Sequence, residues 1–268
     1  RDGEFFPDLM VQEGHAFIER NKEQPFFLYW AINLPHYPLQ GTDKWRKKYE
    51  HLPVPRRMYN AFVSTMDESI GKLLAKLDEL KLREDTIVIF QSDHGHSHEE
   101  RTFSGGGSAG PYRGAKFSLF EGGIRVPAMI SWPGKLPAGE VRSQMATACD
   151  WMPTIADLAG VERPARKLDG RSIAKMIQSS EADSPHKQFH WQSGGGRNPQ
   201  WAVRDGDWKL IGNPRDTSNK APIGKGDARF LVNLADDVSE MENLAGDNPE
   251  IVSRLEKLHD AWVKNASK

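Results

Sequence analysis

Three short apolar runs, separated by a helical pattern, constrain the fold of this 268-residue chain more than any other feature. They occupy residues 26–33 (FFLYWAIN), 86–90 (TIVIF) and 126–132 (VPAMISW). A continuous apolar run bounded by turn residues is typical of a strand that is buried on both faces. Between the first two runs, residues 55–80 carry apolar side chains at three- and four-residue steps, which is typical of an amphipathic helix. This alternation predicts an α/β domain with a mostly parallel sheet sandwiched by helices.

The pattern changes after about Gly170. The runs WAVRDG, DWKLIG and ARFLVNL are short and separated by turn residues, so they predict a small antiparallel sheet. The last segment predicts a terminal helix, because four apolar side chains fall on one helical face: Ile251, Leu255, Leu258 and Trp262. We therefore predict an α/β domain over residues 1–179 and a smaller α+β subdomain over residues 180–268.

Composition and charge limit the classes of partner. The chain is 38% apolar and 27% charged, as in an ordinary globular protein. A net charge of -1 gives no general attraction for nucleic acid or an anionic membrane, so we predict neither as a partner. The longest apolar run is shorter than the ~20 residues of a membrane-spanning helix. The single cysteine, Cys149, excludes an internal disulfide, and we interpret it as a buried structural thiol.

Polar side chains follow two of the predicted strands, at the sheet edge where ligands collect in this architecture. Asp93 and His94 follow the run at 86–90, and an aspartate beside a histidine can ligate a divalent cation or merely cap a turn. His36 follows the run at 26–33 between Pro35 and Tyr37. Its imidazole can donate to an oxyanion or protonate a leaving group, although a lone loop histidine more often does neither.

Lys116 lies in a glycine-containing loop, RGAKFSLFEGG, where its ammonium can face an anionic group or simply be solvated. The co-occurrence of His36, the Asp93–His94 pair and Lys116 strengthens each interpretation. A metal and two cationic donors are what the transfer of a highly charged group requires.

In this order, several phrases of the sequence resemble the sulfatase family over nearly the whole chain. They are FFLYWAINLPHYPL, LREDTIVIFQSDHGH, AGPYRGAKFSLFEGGIRVPAMISWPGKLPAG, CDWMPTIADLAG, WAVRDGDWKLI and LVNLADDVSEMENLAGDNPE. The resemblance implies that Asp93 and His94 ligate the active-site cation. Calcium is the expected ion and manganese the alternative, since imidazole is softer than an amide ligand. It also implies that Lys116 binds a sulfate oxygen and neutralises the leaving oxygen, and that His36 contacts the sulfate or the ester oxygen.

By the same resemblance, His96 and Arg113 are candidates for substrate binding. The family's nucleophile is a formylglycine made from a Cys/Ser-x-Pro-x-Arg motif, which is absent from these residues, and Cys149 in CDWMP does not fit it. The expectation is therefore the C-terminal part of an α/β sulfatase of the alkaline-phosphatase type, inactive by itself, whose formylglycine comes from a missing upstream segment. The expected substrates are sulfated carbohydrates or aryl sulfates.

The resemblance also implies a periplasmic or secreted location. An incomplete sheet would expose a strand edge, so we expect self-association or pairing with the missing N-terminal segment. Two other functions remain open at this point. One is a phosphomonoester or phosphonate hydrolase of the same superfamily, and the other is a non-catalytic protein that binds sulfated glycans.

Overall fold

A computed structural model describes residues 3–195, 197–221 and 223–266. The helices are α1 (Phe6–Asn21), α2 (Asp43–Lys48), α3 (Arg56–Glu79), α4 (Glu121–Ile124), α5 (Trp151–Ala159), α6 (Ala174–Gln178) and α7 (Pro249–Ala266). The strands are β1 (Val88–Gln91), β2 (Ala128–Ser131), β3 (Gln188–Ser193), β4 (Gln200–Asp205), β5 (Trp208–Gly212) and β6 (Arg229–Asn233). Among the described helices, none has the length and apolar character needed to cross a membrane.

The chain divides into two compact units. The first comprises Arg1–Ser118, Gly122–Trp132 and Asp216–Lys220. Its longest element is α3, whose buried side chains recur at helical spacing and confirm the helix predicted over 55–80: Ala61, Phe62, Thr65, Ser69 and Leu77. Helix α1 packs against α3, and the imidazole of His15 lies 3.0 Å from the carbonyl oxygen of Lys72.

The predicted parallel sheet is not found in the part of the chain that the structure describes. Strands β1 and β2 pair with each other in antiparallel register, from Val88 opposite Ser131 to Gln91 opposite Ala128. The strand predicted at 26–33 is also absent, because this segment has no regular secondary structure and the N–H of Ile32 donates to the carbonyl oxygen of Trp30 at 2.9 Å. The prediction was wrong because it assumed burial on both faces and a neighbouring strand.

One face of this segment packs against α1, and the other face is exposed to solvent. The indole of Trp30 donates to the carbonyl oxygen of Met10 at 2.9 Å, and the ring of Phe26 meets Phe17 edge-on. Phe27 and Tyr29 on the opposite face are 71% and 82% exposed. Without a neighbouring backbone to accept its hydrogen bonds, such a segment is not a sheet strand.

The second unit comprises Leu119–Glu121, Pro133–Arg215 and Ala221–Lys268. Its four strands form one antiparallel sheet in the order β3-β4-β5-β6, which confirms the predicted antiparallel sheet and adds β3 to it. Helix α7 covers the sheet through the buried Leu255 and the partly buried Ile251 and Leu258, as its spacing predicted. The domain division near residue 180 stays a prediction.

Cys149 is exposed, so its interpretation as a buried thiol was wrong. It lies in a 3-10 turn, Ala148–Asp150, in which Asp150 takes the inward position with no exposed surface. The carboxylate of Asp150 accepts hydrogen bonds from the backbone N–H groups of Thr147 and Arg171, each at 2.8 Å, and contacts Nε2 of His186. The inward carboxylate leaves the neighbouring thiol facing solvent.

Candidate active site

The turn after β1 holds Asp93 and His94 at the surface of the first unit. Their side chains are 82% and 41% exposed, respectively. The next residue fixes the turn, because the N–H of Gly95 donates to the carbonyl oxygen of Gly123 at 2.9 Å. A Cβ at Gly95 would lie 2.0 Å from the carbonyl oxygen of Gly122, so only glycine fits this close approach.

The hydrogen bonds of this turn suit a cation. Nδ1 of His94 lies 2.9 Å from the carbonyl oxygen of Gly95, which can only accept, so Nδ1 carries the hydrogen. In the neutral ring, Nε2 then presents a lone pair, and it lies 3.1 Å from Oδ2 of Asp93. Two acceptors at this distance require a shared proton or a cation between them. The arrangement fits two ligands of one metal ion.

Two ligands do not complete a metal shell, since calcium takes ~6–8 oxygen ligands. Among the described residues, no group of three or more His, Cys, Asp or Glu side chains is arranged to hold a metal. The described part of the chain can therefore supply two ligands of such a site.

Lys116 is tied to the segment that follows this turn. Its N–H donates to the carbonyl oxygen of His96 at 2.8 Å, and its Nζ donates to Oε2 of Glu99 at 3.0 Å. The ammonium also lies 4.9 Å from the ring centroid of Phe117. The side chain of Lys116 is 15% exposed, so it is neither solvated nor fully enclosed. Nothing in the sequence pattern indicates this contact between Lys116 and Glu99.

His96 is half-buried beside His98, and the two Nε2 atoms lie 2.9 Å apart. Burial lowers the pKa of His96 to about 4, and the charges of His98, Lys220 and Arg56 act in the same direction. His96 is therefore neutral near pH 7. Nδ1 of His98 lies 3.1 Å from the carbonyl oxygen of Ser104 and must carry a hydrogen, so in neutral His98 the Nε2 accepts from His96.

Arg113 lies inside the first unit with 1% of its surface exposed. Its Nε donates to Oδ2 of Asp216 at 2.8 Å, and the side chain of Asp216 is itself only 3% exposed. This contact anchors a distant segment to the loop that carries Lys116. The predicted role of Arg113 in substrate binding stays a prediction.

The anchored segment, DTSNK at Asp216–Lys220, was missed by the sequence analysis. The hydroxyl of Ser218 accepts from the N–H of Gly114 at 2.9 Å, and the hydroxyl of Thr217 accepts from the N–H of Ala115 at 3.1 Å. The ammonium of Lys220 donates to two backbone carbonyl oxygens of the same loop, each at 2.7 Å. Small polar residues in a turn give no signal for such a contact across about a hundred residues of sequence.

His36 is exposed, in a loop that the side chain of Arg101 contacts. Arg101 donates to the hydroxyl of Tyr37 at 2.7 Å and lies over its ring at 5.3 Å. Nδ1 of His36 lies 2.9 Å from the carbonyl oxygen of Tyr37, which can only accept. Nδ1 therefore carries a hydrogen, and Nε2 is available to a substrate.

Comparison with solved structures defines the class of fold. The structure of Ps i-CgsB in complex with k-i-k-neocarrahexaose is 28% identical, with a TM-score of 0.81 over 97% of this chain and 55% of that chain. The PsFucS1 sulfatase from Pseudoalteromonas sp. is 24% identical, with a TM-score of 0.73 over 96% of this chain and 52% of that chain, a likeness of fold. The chain has a sulfatase-like α/β fold.

Sequence comparison then identifies the family to which the chain belongs. The Sulfatase family matches residues 3–161, and the family described as N-sulphoglucosamine sulphohydrolase, C-terminal, matches residues 114–266. The chain belongs to the sulfatase family, which confirms the resemblance of its motifs.

Curated relatives of the chain are sulfuric ester hydrolases. Human arylsulfatase D is 36% identical over 209 residues, which are 75% of this chain and 34% of that protein. Steryl-sulfatase of Mus musculus is 34% identical over 80% of this chain, and N-acetylgalactosamine-6-sulfatase of Canis lupus familiaris is 38% identical over 66%. The chain spans about a third of the length of these relatives.

Proposed function

We propose that this chain is the C-terminal part of a sulfatase that hydrolyses the sulfate esters of sugars or aryl alcohols. One observation carries the proposal: the Asp93–His94 turn and the loop of Lys116 lie in one unit and are tied by the bond from the N–H of Lys116 to His96. A pair of metal donors and an ammonium on joined loops can bind one anionic group from two sides.

The remaining chemistry comes from groups outside the described residues. A divalent cation, calcium or alternatively manganese, supplies Lewis-acid stabilisation of negative charge, and a formylglycine from an upstream segment supplies the nucleophile. Asp93 and His94 provide two ligands for that cation. These residues by themselves are expected to be inactive, because they contain no Cys/Ser-x-Pro-x-Arg motif.

The side chains present in the chain bind and orient the sulfate group. The ammonium of Lys116 donates one hydrogen bond to Glu99, and its remaining hydrogens can reach a sulfate oxygen and the leaving oxygen. Nε2 of His36 contacts the ester oxygen and, when protonated, gives its hydrogen to the departing alcohol. His96, neutral at physiological pH, lines the pocket through its ring.

The relatives support the proposed substrate class. An arylsulfatase and an N-acetylgalactosamine-6-sulfatase are both among them, which supports aryl and sugar sulfates alike. A protein of similar fold has been solved with its substrate D-Glucosamine-2-N, 6-O-disulfate. We propose a sulfated carbohydrate or aryl sulfate as substrate and a periplasmic or secreted location.

The test is a parallel assay of 4-methylumbelliferyl sulfate and phosphate with the complete gene product. Lys116→Ala should lower kcat/KM for the sulfate by roughly 100-fold or more, as the loss of a charge-stabilising donor does. Lys135→Ala is the matched control, because Lys135 is exposed and lies outside both the Asp93–His94 turn and the loop of Lys116. Release of phosphate alone would assign the related phosphoester chemistry, and binding of sulfated glycans without turnover would assign the non-catalytic role.

A further inference from the structure

The ammonium of Lys116 is held by a carboxylate that is itself fixed. Oε2 of Glu99 accepts from Nζ of Lys116 and from the hydroxyl of Ser97, each at 3.0 Å. The backbone N–H of Glu99 donates to the hydroxyl of Ser97 at 3.1 Å, and the carbonyl oxygen of Glu99 accepts from the hydroxyl of Thr102 at 2.7 Å. The position of Glu99 therefore does not depend on Lys116, whereas the long side chain of Lys116 is placed by Glu99.

Such an anchor matters for a lysine more than for most residues. The ammonium ends a flexible four-carbon stem, and ordering that stem costs rotamer entropy. A carboxylate that takes one of the three ammonium hydrogens leaves two for an incoming anion. The two side chains are 15% and 28% exposed, so an anion can reach the pair without unfolding the loop.

We infer that Glu99 is a positioning residue of the sulfatase site, which orders the ammonium of Lys116 toward the sulfate group through their hydrogen bond. This inference rests on the proposed function, since it gives Lys116 the sulfate-binding role. It assigns the hydrogen-bonding oxygen of Glu99, and not its negative charge, as the useful feature. Glutamine at position 99 can still accept from Lys116, and alanine cannot.

The hydrogen bond from Lys116 lowers the pKa of Glu99 first, and the bond from Ser97 lowers it further. Glu99 is thus ionised across the neutral range, where its charge opposes that of a sulfate group. If the charge were the dominant feature, Glu99 would compete with the substrate and its removal would improve binding. The two possibilities predict opposite effects for alanine.

The experiment compares Glu99→Ala, Glu99→Gln and Ser97→Ala in the complete gene product, with 4-methylumbelliferyl sulfate as substrate. Glu99→Ala should lower kcat/KM about 10-fold, Ser97→Ala about 2- to 3-fold, and Glu99→Gln should remain within about 3-fold of the parent. Glu100→Ala removes the same charge at an exposed neighbouring position and serves as the control.

Recovery by glutamine is the result that a purely structural role would not give, provided that all variants melt within a few degrees of the parent. Equal or higher kcat/KM in Glu99→Ala overturns the inference. An equal loss in Glu99→Ala and Glu99→Gln also overturns it, since an oxygen that accepts from Lys116 would then not be sufficient. If Lys116→Ala itself has no effect on sulfate release, the proposed function fails instead, so the two failures are distinguishable.

Discussion

Lys209 offers the sharpest test of how the second unit is held together. Its side chain is fully buried, and its Nζ donates to Oε1 of Glu121 at 2.8 Å and to Oε1 of Glu240 at 2.9 Å. Burial disfavours the charged lysine, but the two carboxylates outweigh it and raise the pKa of Lys209. Burial raises the pKa of Glu240 despite the opposing charge of Lys209. The cluster is one cation between two carboxylates with almost no solvent.

Lys209→Met keeps the volume of the side chain and removes the cation that contacts both carboxylates. The two carboxylates then face each other without water, and leaving buried charge uncompensated costs about 3–5 kcal/mol. The melting temperature should fall by roughly 10 °C for a chain of this size. Lys257→Met, at an exposed lysine, should change stability by less than about 0.5 kcal/mol.

The pH dependence of the stability lost in Lys209→Met identifies the cause of that loss. Without Lys209, the carboxylates of Glu121 and Glu240 should bind protons more readily in the folded protein than in the unfolded chain. Groups with a raised pKa favour folding at low pH and lose that contribution as the pH rises, so the deficit should be smaller at pH 5 than at pH 8. Adding Glu121→Gln and Glu240→Gln to Lys209→Met should recover most of the stability. A Lys209→Met protein as stable as the parent at pH 8, by urea denaturation, would refute the reasoning.

Two further predictions concern His190 in the second unit and Tyr29 in the first. Burial, followed by the charge of His259, lowers the pKa of His190 to about 4, so the unfolded chain binds more protons than the folded protein between about pH 4 and 6.5. Stability should fall by about 1–2 kcal/mol from pH 7 to pH 5 after allowance for solvent screening, and by less in His190→Gln; equal pH slopes in urea melts would contradict this. Tyr29 is 82% exposed on an apolar face, so Tyr29→Lys should shift the chain from self-associated species toward monomer in light scattering. A parent chain that is already monomeric at all concentrations would remove the basis for that prediction.

The elements that the sequence predicted correctly depend on local pattern. Helices α3 and α7 each bury one stripe of side chains, and that stripe is visible as spacing along the chain. Strands β4, β5 and β6 are short apolar runs between turns, and they pair in sequence order. Strand β3, QFHWQS, was missed because it lacks branched apolar residues and follows a polar stretch, although it pairs with β4 over its whole length.

The elements that the sequence did not predict depend on partners far away in the chain. The run at 26–33 has the composition of a buried strand, but a strand exists only where another backbone accepts its hydrogen bonds, and composition cannot show that. The DTSNK segment binds the Lys116 loop through Asp216, Thr217 and Ser218, whose types are those of any surface turn. The metal-binding role of Asp93 and His94 was inferred from two adjacent residues that follow a strand, and it stays a prediction.

The two cations predicted at the site, Lys116 and Arg113, show why a count of charges does not locate an anion site. Each is paired with a carboxylate, so neither contributes a bare positive charge. The pairs differ in exposure, which is 1% and 3% for Arg113 and Asp216 but 15% and 28% for Lys116 and Glu99. A buried pair cannot exchange its carboxylate for a sulfate group without an uncompensated charge, whereas a partly exposed pair can share its ammonium. Exposure therefore separates an anchoring cation from one that an anion can reach, and this supports Lys116 in the proposed sulfate-binding role.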